Sequence, residues 1–243
     1  MSALVLIPAR LAASRLPGKP LAMIADAPMI VHVWRRAMAA GIGEVAVAAG
    51  DPEIVAAVEA AGGRAVLTDP ALPSGSDRIL AALRIIDPAE AHDMIINLQG
   101  DMPFVAPEPL RACAQLLDAR RDCDIATVVA VESAPADRTN PDVVKAVLAG
   151  DPGRGGARAL YFTRSTLYGG GPVWRHIGIY GYRRAALEAF TAAPPSPLER
   201  RERLEQLRAL ELGLSIWAGE VETAPLSVDS PADLQAAREA AAA

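Results

Sequence analysis

The chain has two cysteines and three histidines in 243 residues. Cys113 and Cys123 stand ten apart with no histidine at ligand spacing nearby, which leaves no framework for a zinc site. Cys113 falls in an apolar helical pattern and Cys123 in a charged loop, so both read as ordinary reduced thiols. Positive charge is also short. Lys and Arg total 24 against 29 Asp and Glu, a net charge of -5, and a nucleic-acid partner would require many cations on phosphates. Any phosphate site must therefore be local. Long hydrophobic runs are missing too: the first, Ala3 to Ile7, has five residues and no basic flank, too few for a membrane span or signal peptide. A cytoplasmic protein is expected, without nucleic acid or membrane as partner. Neither the P-loop spacing nor GxGxxG occurs, so a Walker-type ATPase and a dinucleotide dehydrogenase lose their main support.

What is present is a globular composition, 51% hydrophobic and 22% charged, long enough for one large core. Ala3 to Pro8 is an unbroken apolar run of the kind buried on both faces of a parallel sheet. Helical spacing over 29–40, 52–61, 76–86 and 107–120 alternates with apolar runs over 45–49, 65–68, 94–98 and 125–131. That order predicts an α/β fold with a doubly wound, mostly parallel central sheet. Beyond residue 131 the alternation loosens. Strands are expected at 143–148, 157–162 and 177–182, and helices at 183–191, 197–213 and 231–242. We read one domain: a nucleotide-binding core to about residue 131, a smaller mixed lobe for substrate and dimerisation to about 230, and a C-terminal helix over 231–243.

The segment after the first strand, IPARLAASRLPGKPL over 7–21, carries Arg10, Arg15 and Lys19. Open α/β sheets bind ligands beyond the carboxyl ends of their strands, and a loop there with backbone N–H groups and cations suits a triphosphate. Asp101, in NLQGDMP over 97–103, stands at the end of another apolar strand, where a carboxylate can hold magnesium. Asp229 ends a further short apolar segment, although Asp or Ser before Pro231 also suits a helix cap. Asp233 lies inside the following helix and reads as surface.

Together with SGSDR (74–78), NPDVVKAV (140–147), ALYFTRS (159–165), HIGIYGYR (176–183), LERRERLEQLRALELG (198–213) and VDSPADL (228–234), these segments resemble the 3-deoxy-manno-octulosonate (KDO) cytidylyltransferase family in content and order. The resemblance runs from about Leu4 to Leu234. It implies a nucleotide-diphospho-sugar transferase-like fold and a homodimer that transfers CMP from CTP to the anomeric hydroxyl of KDO. Pyrophosphate would be released and CMP-KDO would feed lipopolysaccharide assembly. It also implies that Ala9, Arg10, Arg15 and Lys19 contact CTP phosphates and that Ser74, Gly75 and Arg78 help hold the nucleotide, with Gln99 between nucleotide and sugar. Asp101 and Asp229 would ligate Mg2+, so that Arg10, Lys19, Asp101 and Asp229 carry the catalysis. Arg164, His176, Tyr180, Glu205 and Gln206 would line the sugar pocket, Arg164 facing the carboxylate.

The residues alone permit plainer readings, with Glu205 and Gln206 on the wet face of a charged helix and His176 a satisfied core histidine. The chain departs from the family pattern at Gly50, Leu72 and Met102. Two alternatives stay open: the same chemistry on another 2-keto acid such as 8-amino-KDO or a nonulosonic acid, and a nucleotide-binding regulatory homologue without turnover.

Overall fold

The computed structural model describes residues 3–12, 16–132, 135–153, 155–169 and 171–242. The chain forms two compact units, residues 1–110 with 225–243 and residues 111–224; sequence alone drew its boundary near residue 131.

The first unit opens with β1 (Ala3–Ala9). Leu4, Val5, Leu6 and Ile7 are wholly buried, as a strand covered on both faces requires. A loop leads to a 3-10 turn at Lys19–Leu21, and β2 (Met23–Ile24) and β3 (Ala27–Pro28) make a small antiparallel pair. Then come α1 (Met29–Ala40), β4 (Gly43–Ala49), α2 (Pro52–Ala60), β5 (Arg64–Leu67), α3 (Gly75–Ile86) and β6 (Met94–Leu98). These four longer strands are parallel in the order β5-β4-β1-β6. The helix and strand spacing read from the sequence meets these elements to within two residues at each end. Helix α4 (Pro107–Ala119) crosses the boundary between the units.

In the second unit β7 (Ile125–Glu132), β8 (Lys145–Leu148), β9 (Ala157–Thr163) and β10 (Val173–Arg183) precede α5 (Arg184–Ala192), α6 (Pro197–Glu202), α7 (Gln206–Glu211) and β11 (Ile216–Glu220). Their pairings close on themselves: β7 with β10, β10 with β8, β8 with β9, β9 with β11, and β11 with β7. Only the β11–β7 pair is parallel within this ring. A bulge between Ile177 and Tyr180 interrupts β10, and the Thr127 hydroxyl lies 3.3 and 2.9 Å from the Ile177 and Ile179 carbonyls there. Two expectations are corrected. Strand β11, with Ala218 and Gly219 at its centre, has too little β propensity to stand out; it is held by reciprocal bonds between Asp124 and Ser215. The helix expected over 197–213 is broken, because Arg203 takes a left-handed conformation at φ 57°. That turn buries Leu204 and Leu207 and brings Arg208 onto Glu199 and Glu205 at 2.9 and 3.0 Å.

The chain returns to the first unit with α8 (Pro231–Ala242), packed through Leu234 and Ala237 against Ile24, Met29 and Val228. No helix among the described residues is long and apolar enough to cross a membrane. Cys113 and Cys123 are both buried, and burial pushes the Cys123 thiol up to about 12.

Candidate active site

Beyond the carboxyl ends of the first unit's strands lies a cavity of about 310 Å3. Ala9, Arg10, Lys19, Ser74, Gly75, Arg78, Gln99, Asp101 and Asp229 all line it. Arg15 lies outside the described residues.

Besides the N-terminus of α3, three pieces of chain make this convergence. The loop after β1 is held at both ends: Leu11 donates its N–H to Asp51 Oδ2 at 2.7 Å, and Gly18 donates to the Leu11 carbonyl at 3.1 Å. Lys19 follows directly. The turn after β6 passes so near β1 that a Cβ on Gly100 would stand 2.9 Å from the Pro8 carbonyl oxygen, so only glycine fits there. The third piece comes from far along the chain, where the Val228 N–H bonds the Asp101 carbonyl at 2.9 Å. Helix capping then falls to Ser230 and Asp233: the Ser230 Oγ accepts the Asp233 N–H at 3.2 Å and the Asp233 carboxylate accepts the Ser230 N–H at 2.8 Å. Asp233 is thus a cap partner more than a surface residue, and the Asp229 carboxylate is turned toward Lys19.

Lys19 Nζ is 3.1 Å from Asp101 Oδ2 and 3.1 Å from Asp229 Oδ1. Desolvation raises the Asp101 pKa; Lys19 opposes that shift and the Asp229 charge adds to it. Asp101 Oδ1 is buried with no hydrogen-bond partner, an oxygen whose lone pairs suit a cation. The N-terminus of α3 also opens here and favours an anion through its dipole. Ser74 caps that helix, its Oγ accepting the Asp77 N–H at 3.1 Å and donating to Asp77 Oδ2 at 2.6 Å.

Arg78 is only 2% exposed and gives its donors to Thr68 Oγ1 and the Asp69 carbonyl at 2.6 and 3.1 Å. Burial, and next the Arg10 charge, lower its pKa. It therefore shapes the cavity wall while holding the loop after β5. The departures from the family pattern have local explanations. A Cβ on Gly50 would meet Arg78 Nη1 at 2.8 Å, so glycine leaves room for that guanidinium. Met102 is 7% exposed and turned into the core, and Leu72 does not line the cavity.

Arg164, His176, Tyr180, Glu205 and Gln206 belong to the second unit. His176 packs edge-on against Phe162 at 4.9 Å between ring centres and lies 5.4 Å from Tyr180. Burial lowers the His176 pKa to about 3, so the ring is neutral. Its Nε2 is 3.0 Å from Thr127 Oγ1. That hydroxyl has one proton, drawn by the Ile179 carbonyl, so Nε2–H donates and Nδ1 keeps the lone pair. Burial raises the Tyr180 pKa, with Tyr182 and then Glu205 adding to it. Glu205 accepts from Arg208 at 3.0 Å, and Gln206 is 7% exposed. Neither sits on the wet face of a continuous helix, since the break at Arg203 turns this segment inward. Arg164 follows β9, with Nη1 on the Pro141 carbonyl at 3.0 Å. Sequence reading missed Asp51, which holds the loop after β1; like Asp101 it lies within three residues of the end of a buried strand, and that position was the available signal.

The sequence model of the cytidylyltransferase family matches residues 4–216. A 3-deoxy-manno-octulosonate cytidylyltransferase of Parvibaculum lavamentivorans is 58% identical over 240 residues, covering 98% of this chain and 92% of the relative. The protein of the same name from Rhodospirillum rubrum is 53% identical over 236 residues, with coverages of 97% and 94%. Among solved structures, CMP:2-keto-3-deoxy-manno-octonic acid synthetase complexed with CTP matches at a TM-score of 0.90 and 38% identity, over 100% of this chain and 99% of that one. A nucleotidyl transferase from Methanothermobacter thermautotroptrophicus, at a TM-score of 0.61 and 17% identity over 99% and 98%, shares the fold. The fold is α/β and nucleotide-diphospho-sugar transferase-like.

Proposed function

The chain belongs to the 3-deoxy-manno-octulosonate cytidylyltransferase family and is a cytidylyltransferase; from that premise we propose that it transfers CMP from CTP to the anomeric C2 hydroxyl of KDO. The observation that carries the proposal is the gathering of Arg10, Lys19, Asp101 and Asp229 in one cavity beyond parallel strand ends. The C2 oxygen forms its bond to the α-phosphorus in line as the α–β bridging oxygen leaves with pyrophosphate, and the hydroxyl proton passes to solvent. No covalent enzyme intermediate is needed, and the protein's part is alignment and charge stabilisation.

Arg10 and Lys19 bind phosphate oxygens and offset the charge on the departing pyrophosphate, Arg as a fork and Lys as a movable point charge. Arg15 has the same role by family resemblance. The N-terminus of α3, with Ser74 and Gly75, adds its dipole to the nucleotide side, Arg78 holds the wall, and Ala9 borders the phosphates. Gln99, whose Nε2 donates to Asn97 Oδ1 at 3.3 Å, orients the sugar. Arg164 pairs with the sugar carboxylate, while neutral His176, Tyr180, Glu205 and Gln206 supply polar contacts to its hydroxyls.

Magnesium fits this donor set. Among the described residues no three His, Cys, Asp or Glu side chains gather into a metal cage, but magnesium is commonly held by one or two carboxylates with phosphate and water. Asp101 and Asp229 would hold it, and when bound it would polarise the α-phosphate and neutralise charge there.

The test is pyrophosphate release from CTP and KDO with and without magnesium. Magnesium-dependent release supports the proposal; CTP binding with no release for any sugar overturns it, and release only with another 2-keto acid reassigns the substrate. The same reading carries a homodimer working in the cytoplasm and supplying CMP-KDO to lipopolysaccharide assembly. Light scattering of the purified chain checks the dimer.

A further inference from the structure

Arg164 is gripped on both sides by side chains of opposite charge. Its N–H donates to Glu202 Oε2 at 3.0 Å, and its carbonyl accepts from Lys145 Nζ at 3.0 Å. Glu202 also takes the Thr163 hydroxyl at 3.2 Å and the Tyr161 hydroxyl at 3.4 Å, so α6 is fastened to the end of β9. Lys145 pairs with Thr163 across β8 and β9, which brings its ammonium beside the next residue, Arg164.

Lys145 is 0% exposed, and burying an ammonium is costly unless it is paired and hydrogen-bonded. A strand-end carbonyl could be satisfied by water or a neutral donor. Charge-assisted bonds are about twice as strong as neutral ones and hold geometry more tightly. Lys145 also donates to the Asn140 carbonyl at 2.6 Å, and the adjacent Pro141 carbonyl is the one on which the Arg164 guanidinium rests. A single ammonium thus fixes both the backbone of Arg164 and the segment that steers its side chain. Burial and then the Arg164 charge lower the Lys145 pKa, while Asp137 opposes them, so the ammonium and the guanidinium lie close enough to feel each other.

We propose that Lys145 and Glu202 are positioning residues that clamp the peptide groups on either side of Arg164 and so aim its guanidinium at the carboxylate of the acidic sugar. This rests on the reading of Arg164 given above. Neither residue touches substrate; both act through Arg164.

The test is steady-state kinetics of the full chain, varying KDO and CTP separately, for Lys145→Met, Glu202→Gln and Arg164→Ala and for each clamp change combined with Arg164→Ala. The clamp predicts that Lys145→Met raises the KM for KDO about tenfold, within the range seen when a reacting group is slightly misplaced. Glu202→Gln moves it in the same direction, and the KM for CTP is unchanged. In the Arg164→Ala background either clamp change alters the KM for KDO by less than about twofold, because residues acting through one group are not additive. Equal effects with and without Arg164, or parallel losses for KDO and CTP, make Lys145 and Glu202 merely structural and overturn the clamp. If Lys145→Met does not fold, Glu202→Gln and Lys145→Arg decide by the same criterion. A wild-type chain that does not turn over KDO overturns the proposed function itself; one that does, with unchanged clamp variants, overturns only the clamp.

Discussion

In the first unit Lys19, Asp101 and Asp229 face a cavity past the ends of parallel strands, and one Asp101 oxygen has no hydrogen-bond partner. In the second unit Arg208 lies over the Phe190 ring at 4.4 Å and gives its donors to Glu199, Glu205 and two carbonyls. Lys19 and Arg208 are both largely withdrawn from water, at 17% and 7% side-chain exposure, while their partners Asp229 and Glu205 stay 39% and 34% exposed. The first leaves Asp101 Oδ1 without a hydrogen-bond partner, whereas every nitrogen of the Arg208 guanidinium is bonded within the fold. Buried charge therefore signals function where its hydrogen bonds are incomplete, and architecture where they are complete.

The sharpest way to break this contrast is Asp101→Ala. Turnover should fall about a thousandfold or more, some 4 kcal/mol of transition-state stabilisation, with the circular-dichroism spectrum unchanged; near-normal rates would remove Asp101 from the chemistry. Arg208→Ala should do the reverse. Leaving Glu199 and Glu205 without their shared cation, it should cost about 3 kcal/mol in denaturant unfolding, while chain that remains folded keeps its KM for CTP.

A third test bears on the close approach that forms the cavity. Gly100→Ala drives a methyl toward the Pro8 carbonyl and should destabilise by about 2 kcal/mol; an unchanged midpoint would mean that the β6 turn yields freely. Asp101→Asn should then separate function from stability within one site. Because desolvation raises the Asp101 pKa, its proton is held more tightly in the folded chain than in the unfolded one. Its contribution is full at low pH and lost as pH rises through the folded value. At neutral pH the amide should therefore stabilise by about 1 kcal/mol, seen as a Tm higher by about 2 to 4 °C, although turnover is lost.

The smallest effect concerns His176, whose pKa burial lowers from 6.5 to about 3. Its contribution to stability is full above pH 6.5 and is lost as pH falls toward 3. NMR of the ring should show no titration between pH 5 and 8; a midpoint there would mean that the site is wet and that His176 can act as a cation.

Legibility in the sequence follows the same division. The cavity's strands are short apolar runs separated by helices of regular spacing; Arg10 directly follows β1, Lys19 lies in the cation-bearing loop after it and Asp101 in the turn after β6, so position beyond a strand end marked them. The second unit's signals are weaker. Its ring of strands is closed by β11, whose Ala218 and Gly219 carry no periodic signal, and its two short helices read as one because nothing local forces Arg203 into a left-handed turn. The burial of Gln206 follows from that turn, which is fixed by what Arg208 meets elsewhere in the unit, the Phe190 ring and the Phe190 and Ala193 carbonyls.

Local pattern determined the alternation of helix and strand, the parallel first sheet and the loop that carries the cations, because each depends on residues within about a dozen positions of one another. Tertiary structure decided the rest: that Asp229 meets Asp101 across 128 positions (229 − 101) through the Val228 backbone bond, that Arg78 spends its donors on a loop, and that Lys145 and Glu202 converge on Arg164. Those arrangements depend on burial and on completing hydrogen bonds between distant segments, energies that exist only once the chain has closed on itself.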